Sequence, residues 1–273
     1  MKTWLSFLAG SAAMLAILGA PAPVSAQAAK GSSKAYKAPR TKHGVPDLQG
    51  TWFTNAGAAA WDVEEHHSGL GIVAGPSIIL DTPDKKIPYQ PWALAKRKDL
   101  IEHHAYADPQ AHCYASGVPR VTYAPFGFQI LQGPGNVVIT YENFHLFRFI
   151  PTDGRPHTPG NLKTFMGQSR GRWEGDTLVV DVIDQNGWTW LDMASNFTSE
   201  NLHVVERYTR TGENELTYRA TLTDPTVYTR PWTIGFTIRR EANPEYELLE
   251  LACWEGEQDL IHYPEDQGAP KKN

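Results

Sequence analysis

Runs of β-branched and aromatic residues recur along this chain, set apart by short breaks that carry Gly or Asn, and this pattern limits the fold more than any other feature. The runs are 50–54, 128–132, 136–142, 145–150, 176–183, 202–208, 215–223, 232–239 and 247–254. Breaks such as Glu174-Gly175-Asp176 and Thr211-Gly212-Glu213-Asn214 are too short for the crossovers that parallel strands need. The prediction is therefore an all-β chain, an antiparallel meander closing into a barrel or stacking as a sandwich. One short helix is expected from Gln90 to Ala105, where Pro91 suits a first turn and Trp92, Leu94, Leu100 and Ile101 fall near one face. The Gly- and Ala-rich stretch from Ala56 to Asp84, with His66-His67, is expected as a long N-terminal loop.

The first residues point to export. Lys2 precedes an apolar stretch from Trp4 to Ala20, and Val24-Ser25-Ala26 places small residues at the −3 and −1 positions of a cleavage site. That order describes a secretory signal peptide, 1–26, cut after Ala26 to give a periplasmic or secreted protein. Of the 273 residues, 273 − 26 = 247 remain, enough for one large core. Residues 27–45 hold Lys30, Lys34, Lys37, Arg40 and Lys42 with no acid and are expected as a basic flexible tail, leaving 46–273 as a single β-barrel domain. The chain carries 25 basic and 30 acidic side chains, so the part beyond this tail is acidic, which argues against a nucleic-acid partner. No second long apolar run exists to provide an integral membrane segment after processing. In an oxidising compartment Cys113 and Cys253 are expected to form a disulfide; two buried free thiols are the alternative.

Four phrases, Asp153-Gly-Arg-Pro-His157, Gly171-Arg-Trp-Glu-Gly-Asp-Thr-Leu-Val-Val-Asp181, Val204-Val-Glu-Arg-Tyr208 and Asp224-Pro-Thr-Val-Tyr-Thr-Arg-Pro-Trp232, occur in that order. Together they resemble a large family of exported bacterial β-proteins without an established activity, over roughly Pro119 to Trp232. Members of that family commonly carry a His-Ser pair ahead of the Val-Glu-Arg strand; here Thr198 precedes Ser199, which puts a catalytic role for that position in doubt. Gly50-Thr51-Trp52 also resembles the Gly-x-Trp of lipocalins, whose Trp closes one end of a barrel. The two likenesses imply a lipocalin-like β-barrel, exported and mostly β.

Chemistry is sought where titratable side chains cluster. With Asn143-Phe144 as a two-residue turn, Glu142 would face His145 as an acid–base dyad, and Ile139 would face Arg148; an ion pair at a hairpin end is the alternative. The Asp153–His157 phrase has turn composition and would display Arg155 and His157 at a barrel end, unless Asp153 and Arg155 simply pair and lock the loop. Trp188 and Trp190, two apart, would line a pocket if that stretch is extended; ordinary core packing explains them equally. A buried Glu206 would need a cation such as Arg219 or Arg230. The adjacent pairs His66-His67 and His103-His104 point apart on any regular element, and no metal site is expected.

The resulting expectation is a barrel that binds a small aromatic or carbohydrate-like ligand and acts on it, without a cofactor, as a lyase, isomerase or hydrolase. His145 and His157 would serve as base and acid, Glu142 as their orienter and Tyr141 as an auxiliary donor. Arg148, Arg155, Asp153, Trp188 and Trp190 would bind the substrate. The alternative is a non-catalytic periplasmic ligand carrier or envelope scaffold.

Overall fold

Strict alternation of buried and exposed positions along the runs builds one continuous sheet. The computed structural model describes residues 36–69, 73–104, 106–160 and 162–253, so the expected signal peptide and the end of the last run lie outside the described residues. Nine strands form: β1 Gly50–Thr54, β2 Phe128–Gly133, β3 Asn136–Tyr141, β4 Phe147–Pro151, β5 Gln168–Glu174, β6 Thr177–Ile183, β7 His203–Gly212, β8 Glu215–Thr223 and β9 Trp232–Arg240. Their order is β4-β3-β2-β1-β9-β8-β7-β6-β5, every pair antiparallel, in a nearly closed barrel. Two strand expectations need correction. Residues 247–253 run as an irregular strap with one bridge, Asn143 to Leu251, and the missing strand is β5.

β-Branched and aromatic residues at alternate positions fill the interior. Val137, Ile139 and Tyr141 of β3, Val180 and Val182 of β6, Tyr218 and Leu222 of β8, and Trp232 and Ile238 of β9 are all buried. The helix is α1, Pro91–His103, but its packing face is not the expected apolar one: Trp92, Leu94 and Ile101 are exposed, while Ala93 is buried and Leu100 packs against the core. Of its charged residues Arg97 turns inward, reaching Asp62 at 3.5 Å, while Lys96, Lys98, Asp99 and Glu102 are exposed. A one-turn helix, α2 Arg120–Tyr123, is wholly buried; the Arg120 guanidinium is neutralised by Asp108 through bonds of 2.8 and 2.7 Å.

β4 and β5, the two ends of the strand order, share no backbone ladder. Side chains close the gap between them. The guanidinium of Arg148, on β4, forms a bidentate pair with the carboxylate of Glu206, on β7, and also donates to Ser169 Oγ of β5 at 3.0 Å. Tyr208 and Tyr218 donate to Glu206 Oε1 at 3.0 and 2.9 Å. Gly171 of β5 fits beside Ile150 and Thr152 only because it lacks a Cβ, which would lie 2.9 and 2.8 Å from their methyl groups. The expected cation for Glu206 is corrected: Arg219 stands opposite Arg207, which is exposed, while Arg230 is exposed and donates to the backbone of Asp81.

Cys113 and Cys253 form the expected disulfide, joining the chain's last described residue to the 109–113 turn across a separation of 140 residues. By loop-closure entropy such a link is worth about 4–5 kcal/mol. Residues 36–45 are more ordered than a flexible tail requires: Ala38 is buried and Arg40 pairs with Asp176 at 2.5 Å. No helix among the described residues is long and apolar enough to cross a membrane.

Removing one half of a buried ion pair strands the other charge. Arg148→Met is therefore expected to cost about 3–5 kcal/mol in urea unfolding, and Arg148→Met combined with Glu206→Leu to recover part of that loss. Equal destabilisation by the single and double variants would show that the pair does not act as a unit.

Candidate functional site

The residues expected to form one site are distributed among three environments. The β3–β4 hairpin has the expected register, with Ile139 opposite Arg148. Its tip, however, does not make an acid–base dyad. Phe144 and His145 adopt positive φ of 57° and 52°, and the Glu142 carboxylate turns away to accept from Gly127 N at 2.6 Å, Leu249 N at 3.0 Å and the Tyr246 hydroxyl. Glu142 thus fastens the C-terminal strap, and His145 is left at 3.9 Å from Glu250. Tyr141 and Arg148 face the barrel interior, where both are buried and burial raises the Tyr141 pKa. Asp153 and Arg155 pair with each other, locking their turn. Trp190 is buried beside Phe197, to which it bridges, so only Trp188 is available at the surface.

His157 is the one expected catalytic residue that meets partners suited to chemistry. Its Nε2 lies 2.8 Å from Asp181 Oδ1, and His203 Nε2 lies 2.7 Å from Asp181 Oδ2. Asp181 points outward from the middle of β6, His203 begins β7, and His157 descends from the loop after β4. Arg170, opposite Asp181 in the β5–β6 register, donates to Pro156 O at 2.8 Å and to Thr158 Oγ1 at 3.0 Å, holding the loop on either side of His157.

This arrangement fixes proton positions. An ionised carboxylate only accepts, so both rings carry a proton on Nε2, and each Nδ1 is left as the basic nitrogen of the neutral imidazole. The Nδ1 of His157 is buried without a partner among the described residues, whereas the His203 side chain is 42% exposed. Burial alone would raise the Asp181 pKa, but the hydrogen bonds from His203 and His157 outweigh it and hold the carboxyl below its ordinary range. The cluster is a base-orienting device of the kind a general base requires.

The same loop also contributes to an aromatic cluster. Thr164 bridges to Gln185, four residues beyond Asp181, and Phe165 then stacks on Tyr114 with centroids 5.3 Å apart. Trp188 stands edge-on to both, at 6.3 Å from Tyr114 and 6.4 Å from Phe165. Trp188 is 62% exposed and Tyr114 44%.

A second acidic group lies near the other end of the 56–84 segment. Asp62 lines a cavity of about 240 Å³ with Trp61, His66, His67 and Met193, and Asn196 Nδ2 donates to both Asp62 and Asp192. Both oxygens of buried Asp192 accept from N–H groups, those of Val63, Ala194 and Asn196, and burial with the neighbouring Asp62 charge pushes its pKa up to about 7. Both His66 nitrogens are taken by backbone carbonyls, Glu64 O and Val73 O. Asp62, Asp192 and His66 thus clamp the loops together. Among the described residues no group of three or more His, Cys, Asp or Glu is arranged to hold a metal ion.

Asp181 and His203 were not legible as site residues. Asp181 ends the Gly171–Asp181 phrase and His157 ends the Asp153–His157 phrase, so two separate sequence signatures meet at one carboxylate. Thr198 and Ser199 are occupied structurally, by Thr189 O and by Asp224. No family model matches the chain, and neither does any curated protein or solved structure.

A carboxyl with a lowered folded pKa stabilises the protein above its unfolded value of about 3.9 and loses that contribution as pH falls through the folded value. Asp181→Asn is accordingly expected to flatten the loss of Tm below about pH 4. Asp192, with its raised value, acts in the opposite sense, opposing folding as pH climbs from about 3.9 to about 7. An unchanged acid limb in Asp181→Asn would contradict the hydrogen-bonded geometry.

Proposed function

We propose that the protein is an exported β-barrel protein that binds a small carbohydrate-like or aromatic ligand on its outer surface and acts on it by cofactor-independent acid–base chemistry. The Tyr114–Phe165–Trp188 platform, with Tyr114 and Trp188 exposed, carries this reading, because such rings can stack on a sugar face or an aromatic ring. His203, whose side chain is 42% exposed, acts as the base oriented by Asp181, and His157, with its Nδ1 buried, holds the other oxygen of the same carboxylate in place of the expected role as acid. A proton abstracted at carbon and returned elsewhere gives an isomerase, loss of a leaving group gives a lyase, and activation of water gives a hydrolase. The signal-like residues 1–26 and the Cys113–Cys253 disulfide support export to the periplasm or beyond.

The second reading is a non-catalytic ligand carrier or envelope scaffold, and the filled barrel interior favours the scaffold over the carrier. The cup that a lipocalin-like carrier would use is taken up by the Arg148–Glu206 network and the side chains around it.

A panel of oligosaccharides and phenolic compounds, followed by calorimetry and by mass spectrometry for products, separates the two. Trp188→Ala is expected to weaken binding about tenfold, and Asp181→Asn to leave binding in place while lowering turnover about 10²- to 10⁴-fold. Binding without turnover in the wild type selects the carrier. No binding by any compound of the panel, with Trp188→Ala indistinguishable from wild type, overturns the ligand reading.

A further inference from the structure

A cavity of about 490 Å³ lies away from the Asp181 cluster, where the start of β1 meets the end of β9. Its lining includes Thr51, Asn214, Arg240, Glu241, Asn243 and Tyr246. Its volume suits a small organic molecule.

Arg240 is the unusual member. Its guanidinium lies over the Trp52 ring, 4.3 Å from the centroid, and has no hydrogen-bond acceptor and no carboxylate partner among the described residues. Trp52 itself is anchored by Nε1 donating to Leu48 O at 3.0 Å, so the ring beneath the cation is fixed. Gly50, at φ +130°, is what lets the cation settle there: a Cβ at that position would lie 2.0 Å from the Arg240 Nη1. Chain geometry therefore holds this cation in place while leaving its donors unspent.

The surroundings hold charges of both signs, with Asp47, Glu213 and Glu241 nearby, yet none of these carboxylates pairs with the Arg240 guanidinium among the described residues. Arg210 lies close by and gives its donors to the carbonyls of Asp47, Gly212 and Glu213, so it too lacks a carboxylate partner. Burial, and then the like charge of Arg210, lower the Arg240 pKa, an unfavourable field that an arriving anion would relieve. Asn243 uses its Oδ1 for Glu245 N, which leaves its Nδ2 donors available. The acid in the lining, Glu241, has Oε1 engaged by Asn243 N.

We infer that this cavity is a binding site for the oxoanion group of a small molecule, a carboxylate or a phosphate, received by Arg240 and the side-chain amides of Asn214 and Asn243. A planar guanidinium with free donors binds such groups bidentately, and the stacked Trp52 fixes its plane. This site is independent of the proposed ligand platform at Trp188, so either can fail without the other.

The test is a ¹⁵N NMR titration of the full mature protein with inorganic phosphate, with acetate, and with sodium chloride at matched ionic strength. Saturable shifts at Arg240 Nε–H and at the Asn214 and Asn243 amides are expected with phosphate, acetate or both, and none with chloride; whichever anion saturates names the class. Asn243→Asp places a carboxylate in the lining without disturbing Arg240 on Trp52, and is expected to weaken binding at least about tenfold. Arg240→Gln should abolish binding, while Trp188→Ala should leave it unchanged. Non-saturating shifts that chloride reproduces, or equal affinity in Asn243→Asp, would overturn the inference.

Discussion

The buried pair between Arg148 and Glu206 is the interaction on which the architecture depends. A sheet whose end strands lack a backbone ladder must close by side chains or remain open to water. Here one guanidinium spans from β4 to the carboxylate on β7 and touches β5 through Ser169. Such a pair is tolerable in a dry interior only when the remaining acceptor sites are filled, and the hydroxyls of Tyr208 and Tyr218 do this at Glu206. The consequence reaches beyond stability. A barrel whose centre is filled by this buried polar network has no cup to offer a ligand.

On the outer face the loop joining β4 to β5 becomes the organising element. Pro156 and Thr158, held by Arg170, set His157 against Asp181; further along, Thr164 bridges Gln185 and Phe165 joins the aromatic platform. The connection that spans the open seam therefore also assembles the candidate site. At the barrel end, Gly50, Trp52 and Arg240 form a second polar locus with opposite character: a cation seeking an anion, where Asp181 is an anion held between two imidazoles.

Strand periodicity made the fold legible. Eight of the nine predicted runs correspond to strands, and the Ile139–Arg148 register followed from the turn position alone. β5 was hidden because Gln168–Glu174 is Ser-, Gly- and Arg-rich, and its inward positions are Ser169 and Gly171, small and polar for reasons that lie across the seam. The site was less legible because β4 inverts the usual rule. In Phe147-Arg148-Phe149 the sequence suggests buried rings and an exposed cation, yet the phenylalanines are exposed and Arg148 is buried. Only knowledge of Glu206, 58 residues away, predicts that inversion. Asp181 and His203 were missed for a similar reason: nothing local shows that a strand carboxylate meets a loop imidazole from another signature.

The measurement closest to the central claim is the tautomeric state of His157 and His203, read from the ¹⁵N shifts of Nδ1 and Nε2 between about pH 5 and about pH 9. If Asp181 orients both rings, each will be protonated at Nε2 in its neutral form, and Asp181→Asn will release that preference. A neutral ring with its proton on Nδ1, or tautomers unaffected by Asp181→Asn, would contradict the account.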